Sequence, residues 1–337
     1  MISEQVRAVS RSFGFVIEQL REPLRREVQI AYLLFRLGDN IEDTSSLDAS
    51  EKTQLLDGLL HAFREGTSYQ DVLDARAAGD WKDLTPGERR LFEHTDGIIR
   101  AFGDLDPGAR DALLAEAEAM FGGMARIQRD HRESGYVTLP DTDALEEYCY
   151  YVAGTVGDFL TNRFLAQLEW LDPARRAQLL GARRALALVL QVTNILRDVR
   201  DDHEHGHIFY PRSLFDRFDA ERLMTPEYEG EVLRAGQRMA RWLQPSIRLA
   251  AAYILALPRR HYPLRVFCAI PYAMALKTLA LTVGNPAILG AQPVKISRAE
   301  TLVTALTART LAPVNLALGP WFRLVQRDLE VRLPPVE

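Results

Sequence analysis

Residues 191–202 read QVTNILRDVRDD and close a long helical run, ARRALALVLQVTNILRDVRDD. Leu188, Val192, Ile195 and Val199 recur at steps of four, three and four, which predicts a buried helix face. Gln191, Asn194, Asp198 and Asp202 recur on a second, polar face, with Arg197 and Asp201 beside it. Asp198 and Asp202 are four apart, so a helix carries both carboxylates on one side. Like charges at that spacing cost a helix about 0.2–0.5 kcal/mol. A bound cation removes that cost. So would Asp198→Ala, which on this reading melts higher than the parent protein without metal. Taken alone, the stretch is equally a solvated acidic helix end.

A second stretch, residues 33–43 (LLFRLGDNIED), repeats the arrangement about 160 residues earlier. Asp39 and Asp43 are again four apart, with Glu42 between them and Arg36 one turn before. They end an apolar run of Val28, Ala31, Tyr32, Leu34, Phe35 and Leu37. Acids at a helix C-terminus oppose the macrodipole, so two such ends point to a shared cation site. Carboxylate clusters without Cys or His suit a hard cation, Mg²⁺ above all. Mg²⁺ takes one or two carboxylates and fills its shell with water and substrate phosphate. Two acidic helix ends facing one cleft would hold a diphosphate through metal ions. Arg36 and Arg197 would add charge-assisted hydrogen bonds. Asp39, Glu42, Asp43, Asp198, Asp201 and Asp202 are the candidate metal ligands.

LFRLGDNIED and QVTNILRDVRDD resemble the two aspartate-rich motifs of the squalene and phytoene synthases, the head-to-head prenyl-diphosphate transferases. SRSFGFVIEQL (residues 10–20), FGGMAR (121–126), YCYYVAGTVG (148–157) and IFYP (208–211) are similar to further motifs of that family. FCAIPYAMALKTLAL (267–281) and VKISRAE (294–300) resemble its squalene synthase branch rather than the phytoene branch. The resemblance runs over nearly the whole chain. It implies an all-α, single-domain isoprenoid-synthase-type helical bundle around a central cavity, spanning residues 1–337. It implies Mg²⁺-dependent joining of two farnesyl diphosphates through presqualene diphosphate, then reduction by NADPH to squalene.

The resemblance also implies roles. Tyr148 is the catalytic tyrosine, with Tyr151 its local rival, and Arg36 and Arg197 act at the leaving group. Arg11, Ser12, Phe13, Tyr151, Ala153, Gly154, Gln191, Asn194 and Phe267 fall at substrate-binding positions. Arg11, Arg36, Asn194, Arg197, Lys295 and Arg298 fall at cofactor and phosphate contacts. Ala153, Gly154 and Gly157 are read either as close helix packing or as room for a long apolar chain; the resemblance favours the second. Phe13, Phe267 and Tyr272 are core aromatics or, for the two phenylalanines, pocket walls. Two positions depart from the squalene synthase pattern. Ser297 stands where a second basic residue follows the lysine, and Tyr272 stands where glutamine is usual. An enzyme that stops at dehydrosqualene, phytoene or presqualene diphosphate is therefore the alternative product class. A non-catalytic assembly protein of the family is the alternative of another kind, against which the intact acids argue. A terpene cyclase would share the metal chemistry, but the FCAIP and VKIS stretches resemble the other branch.

Composition sets the outer bounds. The chain has 337 residues, 47% hydrophobic and 26% charged, with a net charge of −5. An acidic balance without a basic cluster argues against nucleic-acid binding. Cys149 and Cys268 sit in apolar runs and fit a reduced compartment. The first residues, MISEQVRAVSRS, lack a signal-peptide core. Residues 266–276 are too short to cross a bilayer and end at Lys277, and residues 302–322 are expected to form a core helix followed by a peripheral segment. A cytoplasmic protein with peripheral membrane contact for product release is the expectation. There is almost no strand signal. Thr85, Asp106, Asp172 and Thr225, each before proline, predict helix starts, as does Asp143 with Glu146 in a capping box. Pro245 predicts a kink or break between residues 233 and 255. His203, His205 and His207 suit a soft-metal site or a flexible acidic lid; alternate spacing after a helix end favours the lid.

Overall fold

Side-chain caps set many of the helix starts in the computed structural model, which describes residues 2–44, 46–76, 81, 84–133, 135–168 and 170–333. In chain order the helices are α1 (Ile2–Val9), α2 (Arg11–Ile17), α3 (Leu24–Asp43), α4 (Ala49–Glu65), α5 (Gln70–Asp74), α6 (Pro86–Phe92), α7 (Thr95–Gly103), α8 (Pro107–Asp130), α9 (Thr142–Cys149), α10 (Thr155–Gln167), α11 (Pro173–Ala182), α12 (Ala185–Arg197), α13 (Val199–Glu204), α14 (Glu229–Trp242), α15 (Gln244–Ala256), α16 (Tyr262–Thr282), α17 (Arg298–Leu311) and α18 (Asn315–Glu330). Thr85 with Glu88, and Asp48 with Glu51, close capping boxes at α6 and α4. Asp106 and Asp172 cap α8 and α11 ahead of proline. Two expected starts are displaced. Asp141, not Asp143, caps α9, accepting from the N–H groups of Asp143 and Ala144. Thr225 turns its hydroxyl back to the Arg222 carbonyl (2.7 Å), and α14 begins only at Glu229.

The fold is all-α, and the chain forms two compact units: residues 1–129 with 158–169, and 130–157 with 170–337. In the first unit α3 is the central helix, packed by α1, α4, α6 and α7. Gly38 lets the ring of Phe121 approach its backbone; an added Cβ would collide with that ring. Glu27 is 1% exposed and accepts from Arg163 Nε (2.8 Å) and Nη2 (3.0 Å), so its buried charge is paired.

In the second unit α12 lies against α15 and α16, and α16 against α17 and α18. The break expected at Pro245 is present, with Pro245 in the first turn of α15, where its missing N–H needs no partner. Lys277 does not end the apolar run. It donates to Glu300 (2.9 Å), and α16 continues to Thr282. By length and composition, Arg259–Thr282 and Pro173–Arg197 are apolar enough to cross a membrane, but 78% of the first window and half of the second are buried inside the protein. The single helix expected after residue 302 is two, α17 and α18, because the chain turns at Pro313.

A three-stranded sheet was not legible in the sequence. β1 (Arg132–Glu133) pairs antiparallel with β2 (Tyr136–Thr138), which pairs parallel with β3 (His207–Ile208). Strands of two or three residues are too short to show alternation. They pin the segment expected to be a flexible lid: Val137 N donates to Gly206 O at 2.8 Å.

Candidate active site

Helix α3 is buried on almost every side from Glu27 onward. The exceptions are Tyr32, Arg36, Asp39, Glu42 and Asp43; of these Tyr32, Arg36, Asp39 and Asp43, at steps of four, three and four, form one polar stripe. Arg36 Nη1 lies 3.9 Å from Asp39 Oδ2, while Nη2 donates to Glu88 Oε1. Arg36 Nε is buried without a hydrogen-bond partner. Glu88 is fixed in turn by Thr85, whose N–H and hydroxyl donate to Oε2 at 2.9 and 2.7 Å. Burial raises the Glu88 carboxyl, but these bonds and Arg36 outweigh it and hold it below the usual range. Asp39 behaves oppositely. A third of its side chain touches solvent, yet burial and the charge of Asp43 push its carboxyl up to about 7, against the pull of Arg36. Glu42 is engaged elsewhere, accepting from Gln128 Nε2 of α8. Phe13 is 41% exposed and stacks on Tyr32, with ring centroids 5.7 Å apart. The side chains of Arg11 and Ser12 lie outside the described residues.

The second stripe is built differently. The helix expected to run through to residue 202 is interrupted at Asp198, whose φ of −102° and ψ of 18° leave helical values. The one-turn spacing survives, because Asp202 N still donates to Asp198 O at 2.9 Å. Arg197 folds onto its neighbour, with Nε donating to Asp198 Oδ1 at 2.7 Å and Nη2 to Oδ2. This overturns the stability expectation for Asp198→Ala: truncation removes an ion pair instead of relieving a repulsion. Asn194 and Asp201 are exposed; Gln191, Arg197, Asp198 and Asp202 are half-buried. Asp202 lies near the buried Tyr210, whose hydroxyl is raised by burial and by that charge. The three histidines have three different partners: His203 Nε2 lies 2.7 Å from Ala220 O, His205 Nδ1 2.7 Å from Asp201 O, and His207 stacks on Phe209. Among the described residues no three His, Cys, Asp or Glu side chains converge on one point. An ion held here would complete its shell with water or substrate, as Mg²⁺ does.

Helix α9 and the turn after it pack on α12 within the same unit. Tyr148 is buried and stacks on Phe209 at 4.2 Å, and Phe209 on His207 at 5.2 Å, forming an aromatic ladder. Tyr150–Gly154 is a π-turn in which Thr155 N–H reaches the Tyr150 carbonyl, five residues back; such bulges often mark functional sites. Tyr151 hydroxyl donates to Glu147 Oε1 at 3.3 Å, and Ala153 is half-buried. The room expected beside Gly154 and Gly157 is already filled. A Cβ on Gly154 would meet the Tyr150 ring at 2.9 Å, and one on Gly157 the Arg183 carbonyl at 2.6 Å. Gly157 thus allows close packing against the segment between α11 and α12, whereas Gly154 is crowded by a side chain of its own turn. Phe267 and Tyr272 are buried in α16, and the Tyr272 hydroxyl donates to Ile247 O and accepts from Gln326. Lys295 and Arg298 are exposed, and Ser297 caps α17.

Three residues in contact with the candidates had no role assigned from the sequence. Glu88 carried only a capping signal, 52 residues from Arg36. Tyr32 was counted as apolar although it stands one turn before Arg36, and Phe209 was noted only as part of IFYP, its place beside Tyr148 being visible through their stack.

A model of the squalene/phytoene synthase family matches residues 6–300. The squalene synthase of Cyberlindnera jadinii is 31% identical over 317 residues, covering 91% of this chain and 67% of that protein. Squalene synthase 1 of Arabidopsis thaliana is 31% identical over 315 residues, covering 91% of this chain and 70% of that protein. Among solved structures, TcSQS in complex with ligand E5700 superposes with a TM-score of 0.77 at 24% identity over 98% of both chains. A dehydrosqualene synthase in complex with ligand gives 0.57 at 18% identity, covering 92% of this chain and 94% of that one. At those identities the structural likeness speaks for the fold alone. The match over most of the chain does more: this protein belongs to the squalene/phytoene synthase family.

Proposed function

We propose that the chain is a squalene synthase, joining two farnesyl diphosphates head to head into presqualene diphosphate and reducing that to squalene. The observation that carries this is the pair of acidic stripes, each with an arginine within a turn, in a chain of this family. Asp39 and Asp43 from one stripe, and Asp198 and Asp202 from the other, would hold Mg²⁺. The donor set fits a hard cation, being carboxylate oxygen alone, and the crowding of Asp39 by Asp43 is a cost a divalent ion would relieve. When bound, Mg²⁺ supplies charge neutralisation at the departing diphosphate, and NADPH supplies the hydride of the second half-reaction.

The protein's own groups would do the rest. Arg36 and Arg197 exchange their present carboxylate partners for diphosphate oxygens, and Arg36 Nε is a donor still without a partner. Tyr148, walled by Phe209, offers an aromatic surface that stabilises an allylic cation without capturing it. Asn194 and Lys295 serve the phosphates of the cofactor. The work is assigned to the cytoplasm, with peripheral membrane contact for an apolar product. Exposed Leu302, Val303, Leu306, Leu316 and Leu324 on α17 and α18 supply apolar surface for that contact.

One observation favours the unreduced alternative. The Ser297 hydroxyl accepts from Glu300 N (3.1 Å) as the α17 cap, which leaves Lys295 before the helix and only the exposed Arg298 at its first position to stand in for the second basic residue. Incubating the purified protein with farnesyl diphosphate and Mg²⁺, with and without NADPH, and identifying the products separates the readings. Squalene that depends on NADPH supports the first. Dehydrosqualene or presqualene diphosphate at saturating NADPH supports the second. No diphosphate release under either condition contradicts both.

A further inference from the structure

A cleft of ≈ 510 Å³ in the second unit is lined by none of the residues assigned to that chemistry. Its walls include Trp170, Asp172 and Arg175 at the start of α11, Arg259 and Arg260 before α16, and Asn315 at the start of α18. Nearly all of its side-chain polar groups are donors. Asp172 is the exception, and its carboxylate is taken up by the Ala174 and Arg175 N–H groups of the helix it caps, at 3.4 and 3.3 Å. Asn315 accepts from Arg265 through Oδ1, so its amide NH₂ is what it offers the cleft.

Arg265, behind this wall, is the independent observation. It is 0% exposed, and its Nε and Nη1 have no hydrogen-bond partner. Its hydrogen bond goes to a neutral amide, and among the described residues no acid pairs with Arg175, Arg259, Arg260 or Arg265. A buried guanidinium without a counter-charge is unfavourable. Burial, with Arg259 and Arg175 adding like charge, pulls Arg265 down to about 10. Arg265 precedes Phe267 by two residues, about 200° around the helix, so it does not share the face of that pocket candidate.

We propose that this cleft binds a phosphate-class anion, with Arg175, Arg259, Arg260 and the Asn315 amide as donors and Arg265 as the buried charge it neutralises. The ligand is a free phosphate or diphosphate, or the phosphate of a lipid headgroup. Trp170, 84% exposed at the rim, adds aromatic surface and reports occupancy.

The test is titration of the full chain with inorganic phosphate, in EDTA at constant ionic strength, following tryptophan emission. A saturable change is expected that Trp170→Phe lacks. Arg175→Gln/Arg259→Gln, at two exposed positions, should weaken binding about tenfold or more, with folding checked by circular dichroism. Asp39→Asn/Asp198→Asn should bind as the parent does, which separates this cleft from the acidic stripes. Sedimentation with phosphatidylcholine vesicles, with and without phosphatidic acid, identifies the source. Pelleting that needs phosphatidic acid, fails in the arginine variant and is competed by phosphate indicates a headgroup. Phosphate binding without pelleting indicates a free anion. Equal phosphate affinity in parent and arginine variant, or no response to either phosphate or phosphatidic acid, overturns the proposal.

Discussion

The two acidic stripes share a spacing of Asp residues but manage their charge in opposite ways. On α3 the helix is unbroken, and Arg36, three residues before Asp39, gives its shorter bond to Glu88. Asp39 is left crowded, with a carboxyl near 7. At the end of α12 the helix breaks, and Arg197 clamps the adjacent Asp198 with two nitrogens. An arginine one turn away on a continuous helix can take a third partner; an arginine beside a helix break closes on its neighbour. Without metal, one stripe carries an acid paired only at 3.9 Å with an arginine shared with Glu88, and the other a closed ion pair.

If both stripes nonetheless serve one leaving group, their activity losses should match. Asp39→Ala and Asp198→Ala should each lower turnover of farnesyl diphosphate by more than about 100-fold, since even outer-shell partners of a metal are worth 10–100-fold. Near-parental turnover in either folded variant would break the equivalence. Lys295→Ala lies outside both stripes and should touch only reduction. The NADPH concentration for half-maximal squalene formation should rise about tenfold or more, while presqualene diphosphate forms at the parental rate. A matching loss of diphosphate release without NADPH would reassign Lys295 to the substrate.

Backbone crowding should be comparable in the two units. Gly38→Ala, against Phe121, and Gly157→Ala, against the Arg183 carbonyl, should each cost about 1–3 kcal/mol in urea unfolding. Unchanged midpoints would mean that these contacts relax freely. The smallest effects distinguish the stripes most sharply. The folded Asp39 carboxyl titrates near 7, above the usual value of about 3.9 for an unfolded chain. Its charge therefore penalises the fold increasingly from about pH 4 and fully above pH 7. In metal-free buffer Asp39→Asn should melt higher than the parent at pH 8, by about 1–2 kcal/mol after allowance for its solvent contact, and equally at pH 4. Asp198→Asn should instead melt lower at pH 8, by about 0.5–1 kcal/mol, for loss of a half-exposed ion pair. Shifts of the same sign would erase the distinction.

The two acid pairs were legible because their spacing puts them one turn apart, and helix-cap signals with almost no strand signal agreed with the all-α class that the resemblance implied. The break at Asp198 was not legible, since no glycine or proline marks it and its visible correlate is a side chain closing on its neighbour. Glu88 needed a tertiary contact across 52 positions. Arg265 stood inside an apolar run and became conspicuous only once its nitrogens lacked partners. The roles of Tyr148 and Lys295 came from the family resemblance, not from periodicity or spacing.

Whether two stripes in separate units act as one site is best tested by calorimetric titration with inorganic diphosphate, taking the difference between Mg²⁺ and EDTA. The parent, Asp39→Ala, Asp198→Ala and the double variant are compared. A shared site predicts that each single variant loses nearly as much Mg²⁺-dependent affinity as the double, because either loss dismantles the same unit. Additive losses, or single variants that each keep about half of the Mg²⁺-dependent sites at parental affinity, would contradict it.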